Sequence, residues 1–148
     1  MNIYTIGFTE KTAEEFFGLL KKNKVTRLVD IRLNNRSQLA GFTKGKDLEY
    51  FCHEILNIEY KHEVLFAPTQ NLLKNYKEKK VTWEEYVKVY NSMLDERKFI
   101  DIINSQYIDI LDGTCFMCSE KLPEKCHRRL LVEKIQSEID NIEIKHLY

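Results

Sequence analysis

No apolar run in this 148-residue chain approaches the ~20 residues that a membrane-crossing helix needs. Nor is a secretory leader visible: Met1 runs straight into I-Y-T-I-G, with no basic n-region and no A-x-A-like cleavage site, so the expected location is cytoplasmic. Charge of one sign is also lacking. The 23 lysines and arginines equal the 23 aspartates and glutamates, which argues against a protein that coats nucleic acid but leaves room for a local basic pocket. Two prolines and five glycines supply no linker rich in either residue, and there is no internal repeat or low-complexity segment. With 43% hydrophobic residues, residues 1–148 are expected to form a single domain around one proper core. Cysteine is sparse: Cys52, Cys115, Cys118 and Cys126. In the expected compartment these are thiols or ligands rather than structural disulfides.

What is present is an alternation of two periods. Ile3 to Ile6 is a β-prone run closed by Gly7, and Val25 to Ile31 and I-E-Y-K-H at Ile58 to His62 are further strands. Thr114 to Ser119 and Ile142 to Leu147 complete the set. Between them lie helical patterns. Thr12 opens one, with Glu15 as the second half of a capping box and Ala13, Phe16, Phe17 and Leu20 as its apolar stripe. Others run from Asp47 to Leu56, from Gln70 to Lys79, and from Thr82 onward, with Trp83, Tyr86, Val87, Tyr90, Met93 and Leu94 as a core face. Phe99 to Ile103 continues as a further helix, and Pro123 suits the first turn of the last one. Strands alternating with helices predict an α/β fold, a mainly parallel sheet of about five strands with helices on both faces.

The chemistry concentrates in T-C-F-M-C-S-E-K-L-P-E-K-C-H-R-R, Thr114 to Arg129, at a strand-to-helix turn. Open α/β folds bind ligands at the carboxyl ends of their strands, and a helix start favours anions and thiolates. Cys118 and Cys126 are therefore candidates for a nucleophile or a redox pair, with Glu120 or His127 handling protons. Arg32 and Arg128 are candidates for an anion clamp, with Asp30 either orienting Arg32 or acting as a base. Arg36 and Arg129 read as surface arginines. Four ligand-type side chains also suggest zinc, but two arguments stand against it. Alternation along a strand puts Cys115 and Cys118 on opposite faces, and adjacent Cys126 and His127 on a helix diverge by about 100°. No metal ligand is assigned on this basis, and no cofactor.

These motifs carry a resemblance. Y-T-I-G at Tyr4 to Gly7, L-V-D-I-R at Leu28 to Arg32, S-Q-L-A-G-F at Ser37 to Phe42, and C-S-E followed by P-E-K-C-H-R at Cys118 to Arg128 resemble the domain-of-unknown-function 488 family over nearly the whole chain. The S-Q-L-A-G-F form looks like one subgroup of it. The resemblance implies an α/β domain with a small polar pocket around D-I-R and C-H-R, and no established reaction. Two positions depart from the family pattern: Phe8-Thr9 stand where many members have His-Ser, and Asn35 stands where many have proline. Cys115 lies outside the family motif. A looser similarity to rhodanese-type sulfurtransferases rests on the strand-Cys-helix arrangement. The expected function is that of a pocket enzyme acting on a phosphate-bearing, nucleotide or nucleic-acid-like ligand. The alternatives are a non-catalytic nucleotide- or metal-binding module and a thiol-transfer or redox protein.

Overall fold

The computed structural model describes residues 1–36 and 40–148; Ser37, Gln38 and Leu39 of the S-Q-L-A-G-F motif lie outside the described residues. The strands are β1 (Asn2–Gly7), β2 (Arg27–Asp30), β3 (Glu59–His62), β4 (Thr114–Cys118) and β5 (Glu143–Leu147). They form one parallel sheet in the order β3-β2-β4-β1-β5. The helices are α1 (Ala13–Lys22), α2 (Gly45–Phe51), α3 (Gln70–Lys77), α4 (Trp83–Glu96), α5 (Phe99–Ile102) and α6 (His127–Glu138). No helix among the described residues is long and apolar enough to cross a membrane.

Because side chains alternate along a strand, each strand feeds two cores. On one face Ile3, Val29, Phe116 and Cys118 pack with Tyr86, Tyr90, Leu131 and Ile135 of α4 and α6. On the other, Tyr4, Ile6, Leu28, Cys115 and Met117 pack with Phe16, Phe17 and Leu20 of α1 and Leu48 of α2. The predicted capping box on α1 is present in both directions: Thr12 Oγ1 accepts from Glu15 N–H, and Glu15 Oε2 accepts from Thr12 N–H, each at 3.1 Å. Such caps contribute about 1 kcal/mol. At α4, Thr82 Oγ1 accepts from Glu85 N–H at 3.2 Å.

Two element boundaries differ from expectation. The predicted Asp47–Leu56 helix becomes α2 followed by a wider π turn at Cys52–Leu56, which ends on Asn57 in the left-handed region (φ 53°). Pro123 does not open the last helix. It is buried in an irregular loop, and the helix begins at His127 with Cys126 as an extended N-cap (φ −136°, ψ 138°). That loop carries backbone carbonyls that a buried side chain needs, as the next section describes.

The topology places the cluster. β1 leads into α1 on one face, while its neighbour β4 leads into α6 on the other. The two connections therefore diverge at the carboxyl ends of adjacent strands, the position where open α/β sheets form a crevice.

Candidate functional site

Gly7 and Cys118 are register partners at the ends of β1 and β4. A side chain at Gly7 would collide with the Glu120 carbonyl oxygen and come within 2.9 Å of Arg128 Nη1. The glycine of Y-T-I-G is thus required for close approach: it lets the loop after β4 fold back across β1. Thr9 secures that loop, with both its N–H (3.1 Å) and its Oγ1 (2.6 Å) donating to Ser119 O.

Under the loop lies Arg128, fully buried. Its Nη1 donates to Cys118 Sγ at 3.1 Å, to Cys126 Sγ at 3.6 Å and to the Glu120 carbonyl. Nη2 donates to Lys121 O at 3.1 Å, and Nε to Thr5 Oγ1 at 3.4 Å. Burial pushes the guanidinium down to about 10, still protonated at neutral pH. Among the described residues it has no carboxylate partner, so a buried cation faces two sulfurs and a set of neutral oxygens. Thr5, with its oxygen accepting from Arg128, shares a proton with His146 Nδ1 at 2.6 Å. Burial, then Arg128, lowers the His146 imidazole below its ordinary value.

The sulfurs of Cys118 and Cys126 are in contact, and their Cα atoms are 7.7 Å apart, beyond the roughly 4.4–6.8 Å that a relaxed disulfide spans. One donor atom each from Cys118, Cys126 and His127 lie within 4.8 Å of one another, and all three residues are buried. The angular argument against pairing Cys126 with His127 therefore fails, because Cys126 precedes the first helical residue and its side chain does not follow the helical 100° step. The argument about alternation holds: Cys115 belongs to the α1-side core, away from Cys118. Burial pushes its thiol well above the ordinary value and the Cys52 thiol up to about 12, so both are inert packing residues.

His127 Nε2 lies 2.9 Å from Ile31 O. A carbonyl only accepts, so Nε2 carries the proton, and Nδ1 of the neutral ring keeps its lone pair. Burial lowers this imidazole to about 4, against the partial opposition of that hydrogen bond, with Arg128 lowering it further. His127 is neutral at pH 7 and adds no positive charge to the sulfurs. Arg128 does.

Asp30 and Arg32 form a separate network. Arg32 Nε and Nη2 donate to the two oxygens of Asp30 at 2.9 and 2.7 Å, Arg32 N–H to Oδ1 at 3.1 Å, and Nη2 also to Thr43 O at 2.6 Å. Tyr60 donates its hydroxyl to Asp30 Oδ2 at 2.6 Å and accepts from Asn35 Nδ2 at 3.1 Å. Phe8 lies under the Arg32 guanidinium, 5.2 Å from its centroid, which gives this departure from His a role as a cation–π partner. Asn35 fills the space beside Gly45, where a Cβ would strike its side-chain amide. Asp30 thus orients Arg32, and the carboxylate is too fully engaged to act as a free base. The only link described between the two networks is the His127–Ile31 hydrogen bond.

Cys118, Cys126, His127 and Arg128 therefore converge, whereas Asp30 and Arg32 pair with each other. Glu120 gives the cluster its carbonyl, while its carboxylate is exposed beside an outer cleft. Sequence reasoning overlooked Thr5, Tyr60, Thr43 and His146. The signal for Thr5 was there: a hydroxyl in the middle of an apolar strand requires a buried partner.

A family model described as domain of unknown function DUF488 matches residues 12–135. The chain belongs to this family. The converging cysteines, His127 and Arg128 all lie inside the matched span, while Gly7, Thr5 and His146 complete the DUF488 site from beyond it. No curated protein and no solved structure matches the chain.

Proposed function

We propose that Cys118, Cys126 and His127 form a metal–thiolate centre, best suited to zinc, with one coordination position left open. The observation that carries this reading is the convergence of three buried donor atoms within 4.8 Å on a turn whose cysteine Cα spacing does not suit a relaxed disulfide. Two thiolates and an imidazole are a zinc-type donor set, and three protein ligands with a free fourth position characterise catalytic rather than structural zinc. The surroundings fit as well. A ligating imidazole usually donates its other N–H to a carbonyl, as His127 does to Ile31 O, and N–H groups on the sulfurs temper their charge, as Arg128 Nη1 does.

The charge balance suggests what the open position takes. Two thiolates neutralise a divalent ion, and Arg128 leaves one positive charge in excess in a buried site. A hydroxide or the oxyanion of a phosphate- or carboxylate-bearing substrate restores neutrality, so the reading is of a metal-assisted enzyme acting on an anionic substrate. A second reading, thiol transfer or redox chemistry by Cys118 and Cys126, is favoured by one observation: Arg128 stabilises a thiolate without help from a metal.

Elemental analysis with thiol counting, on protein purified anaerobically under reducing conditions, separates the two. The metal centre requires about one zinc per chain, with Cys118 and Cys126 protected from alkylation until a chelator is added. Metal-free protein that still binds no added zinc, and in which one of these cysteines alkylates rapidly, overturns the metal centre in favour of thiol chemistry. Arg128→Met is expected to weaken zinc binding by roughly 10–100-fold.

A further inference from the structure

Lys11 is unusual among the cations of this molecule. Its Nζ is buried and has no hydrogen-bond partner among the described residues, yet the residue lines a cleft of about 930 Å³ between α1 and the loop after β4. An ammonium withdrawn from water without an acceptor costs several kcal/mol, so a fold that keeps one there calls for a compensating anion. The carboxylates of the cleft do not supply it. Glu10 is paired with Lys121 at 2.9 Å, and Glu15 is held by Thr12 N–H at 3.1 Å. Neither they nor Glu14 forms an ion pair with Lys11.

The charges nearest Lys11 reinforce the point. Burial, then Arg128, then Lys121 all act against its protonated form, and Glu15 and Glu10 offset them only in part, so the amine sits below its ordinary value. Three cations from three elements thus bear on one region: Lys11 before α1, Lys121 in the loop, and Arg128 at the start of α6.

We propose that this cleft binds a small oxyanion-bearing ligand, with Lys11 Nζ as its charged anchor. The site goes beyond the metal centre and does not depend on it. Its chemistry is that of a compact phosphate or carboxylate group: multiple acceptor oxygens, small enough for the cleft, and negative enough to relieve the crowding of cations. Lys121 can leave Glu10 to join it, since both of those side chains are exposed.

The test is a titration of the ¹⁵N-labelled full chain with inorganic pyrophosphate, and separately with citrate, followed by amide and lysine-ammonium chemical shifts. Saturable shifts centred on Lys11, Thr12 and Lys121 are expected, with at least ~10-fold weaker binding in Lys11→Met and near-normal binding in Lys11→Arg. Stronger binding of pyrophosphate assigns the site to phosphates; stronger binding of citrate assigns it to carboxylates. Lys22→Met, an exposed residue of the same cleft, is expected to change affinity by less than ~2-fold. The proposal is overturned by an absence of saturable shifts at concentrations on the order of 10 mM, by Lys11→Met binding as well as the parent, or by Lys22→Met losing as much as Lys11→Met. Zinc content is measured on every variant. An unchanged metal load with lost anion binding isolates this cleft, whereas lost metal with retained anion binding strikes only at the metal centre.

Discussion

Asp30 and Arg32, on the α1 side of the sheet, are a matched pair. Arg128, on the α6 side, is an equally buried cation with no carboxylate to meet it. Both guanidiniums sit at carboxyl ends of parallel strands, both lie in family motifs, and from the sequence they looked like the two jaws of one clamp. The first network is electrostatically closed: each oxygen of Asp30 accepts from Arg32, and Tyr60 adds a further donor. The second is open, because its acceptors are two sulfurs, a hydroxyl and loop carbonyls. Closed networks hold a fold. A buried cation opposite sulfurs is satisfied only when those sulfurs carry charge, and that is a condition for chemistry.

The largest effect expected from this contrast comes from opening the closed network. Asp30→Ala strands a buried guanidinium and should cost about 3–5 kcal/mol in chemical denaturation, while leaving zinc content per folded chain unchanged. A loss below ~1 kcal/mol would mean that Arg32 finds water or another acceptor, and the two arginines would not differ as described. Closing the open network has the opposite sign. Zinc held at ~1,000 times its dissociation constant should add about 4 kcal/mol, seen as a fall in Tm on the order of 10 °C when a chelator removes it. Cys126→Ser should abolish most of that chelator response.

A smaller effect follows from His127. In metal-free protein the unfolded imidazole titrates near ~6.5, whereas burial holds the folded one at about 4. Between these values the unfolded chain binds a proton that the folded chain refuses. Stability should therefore fall as pH drops from about 6.5 toward about 4 and level off below that, by on the order of 2–3 kcal/mol in total. His127→Gln should flatten this slope in urea titrations at several pH values, and an unchanged slope would show that other groups set it. At the small end is the surface pair Arg27–Glu59, whose carboxylate is 74% exposed. Glu59→Gln should shift stability by less than ~0.5 kcal/mol, less still at high salt.

The scaffold was legible because its signals are local. Thr12 and Glu15 announce a helix start, Thr82 another, and the apolar runs ending at Gly7 and Asp30 are strands whichever neighbours they find. The opposite facing of Cys115 and Cys118 followed from the period of a strand alone. What failed was inference across the loop between Cys118 and Cys126. Pro123 carries the signature of a first helical residue, yet Arg128 claims the carbonyls of Glu120 and Lys121, and the loop stays irregular to present them. Once Cys126 is extended rather than helical, its relation to His127 changes with it. The self-sufficiency of Asp30 and Arg32 was beyond reach for a similar reason, since Tyr60 and Thr43 reach them only through the tertiary fold.

One consequence follows from the way Arg128 is held. A single nitrogen, Nη1, bonds both to the sulfurs and to the carbonyl of Glu120, and the guanidinium is a rigid plane, so sulfur and loop cannot move independently. Whatever changes at Cys118 and Cys126, whether a proton, a metal or a bond, is passed as a displacement to Glu120 and Lys121, which form a wall of the outer clefts. The side chain works as a lever, with its fulcrum in the core and its far end at the surface.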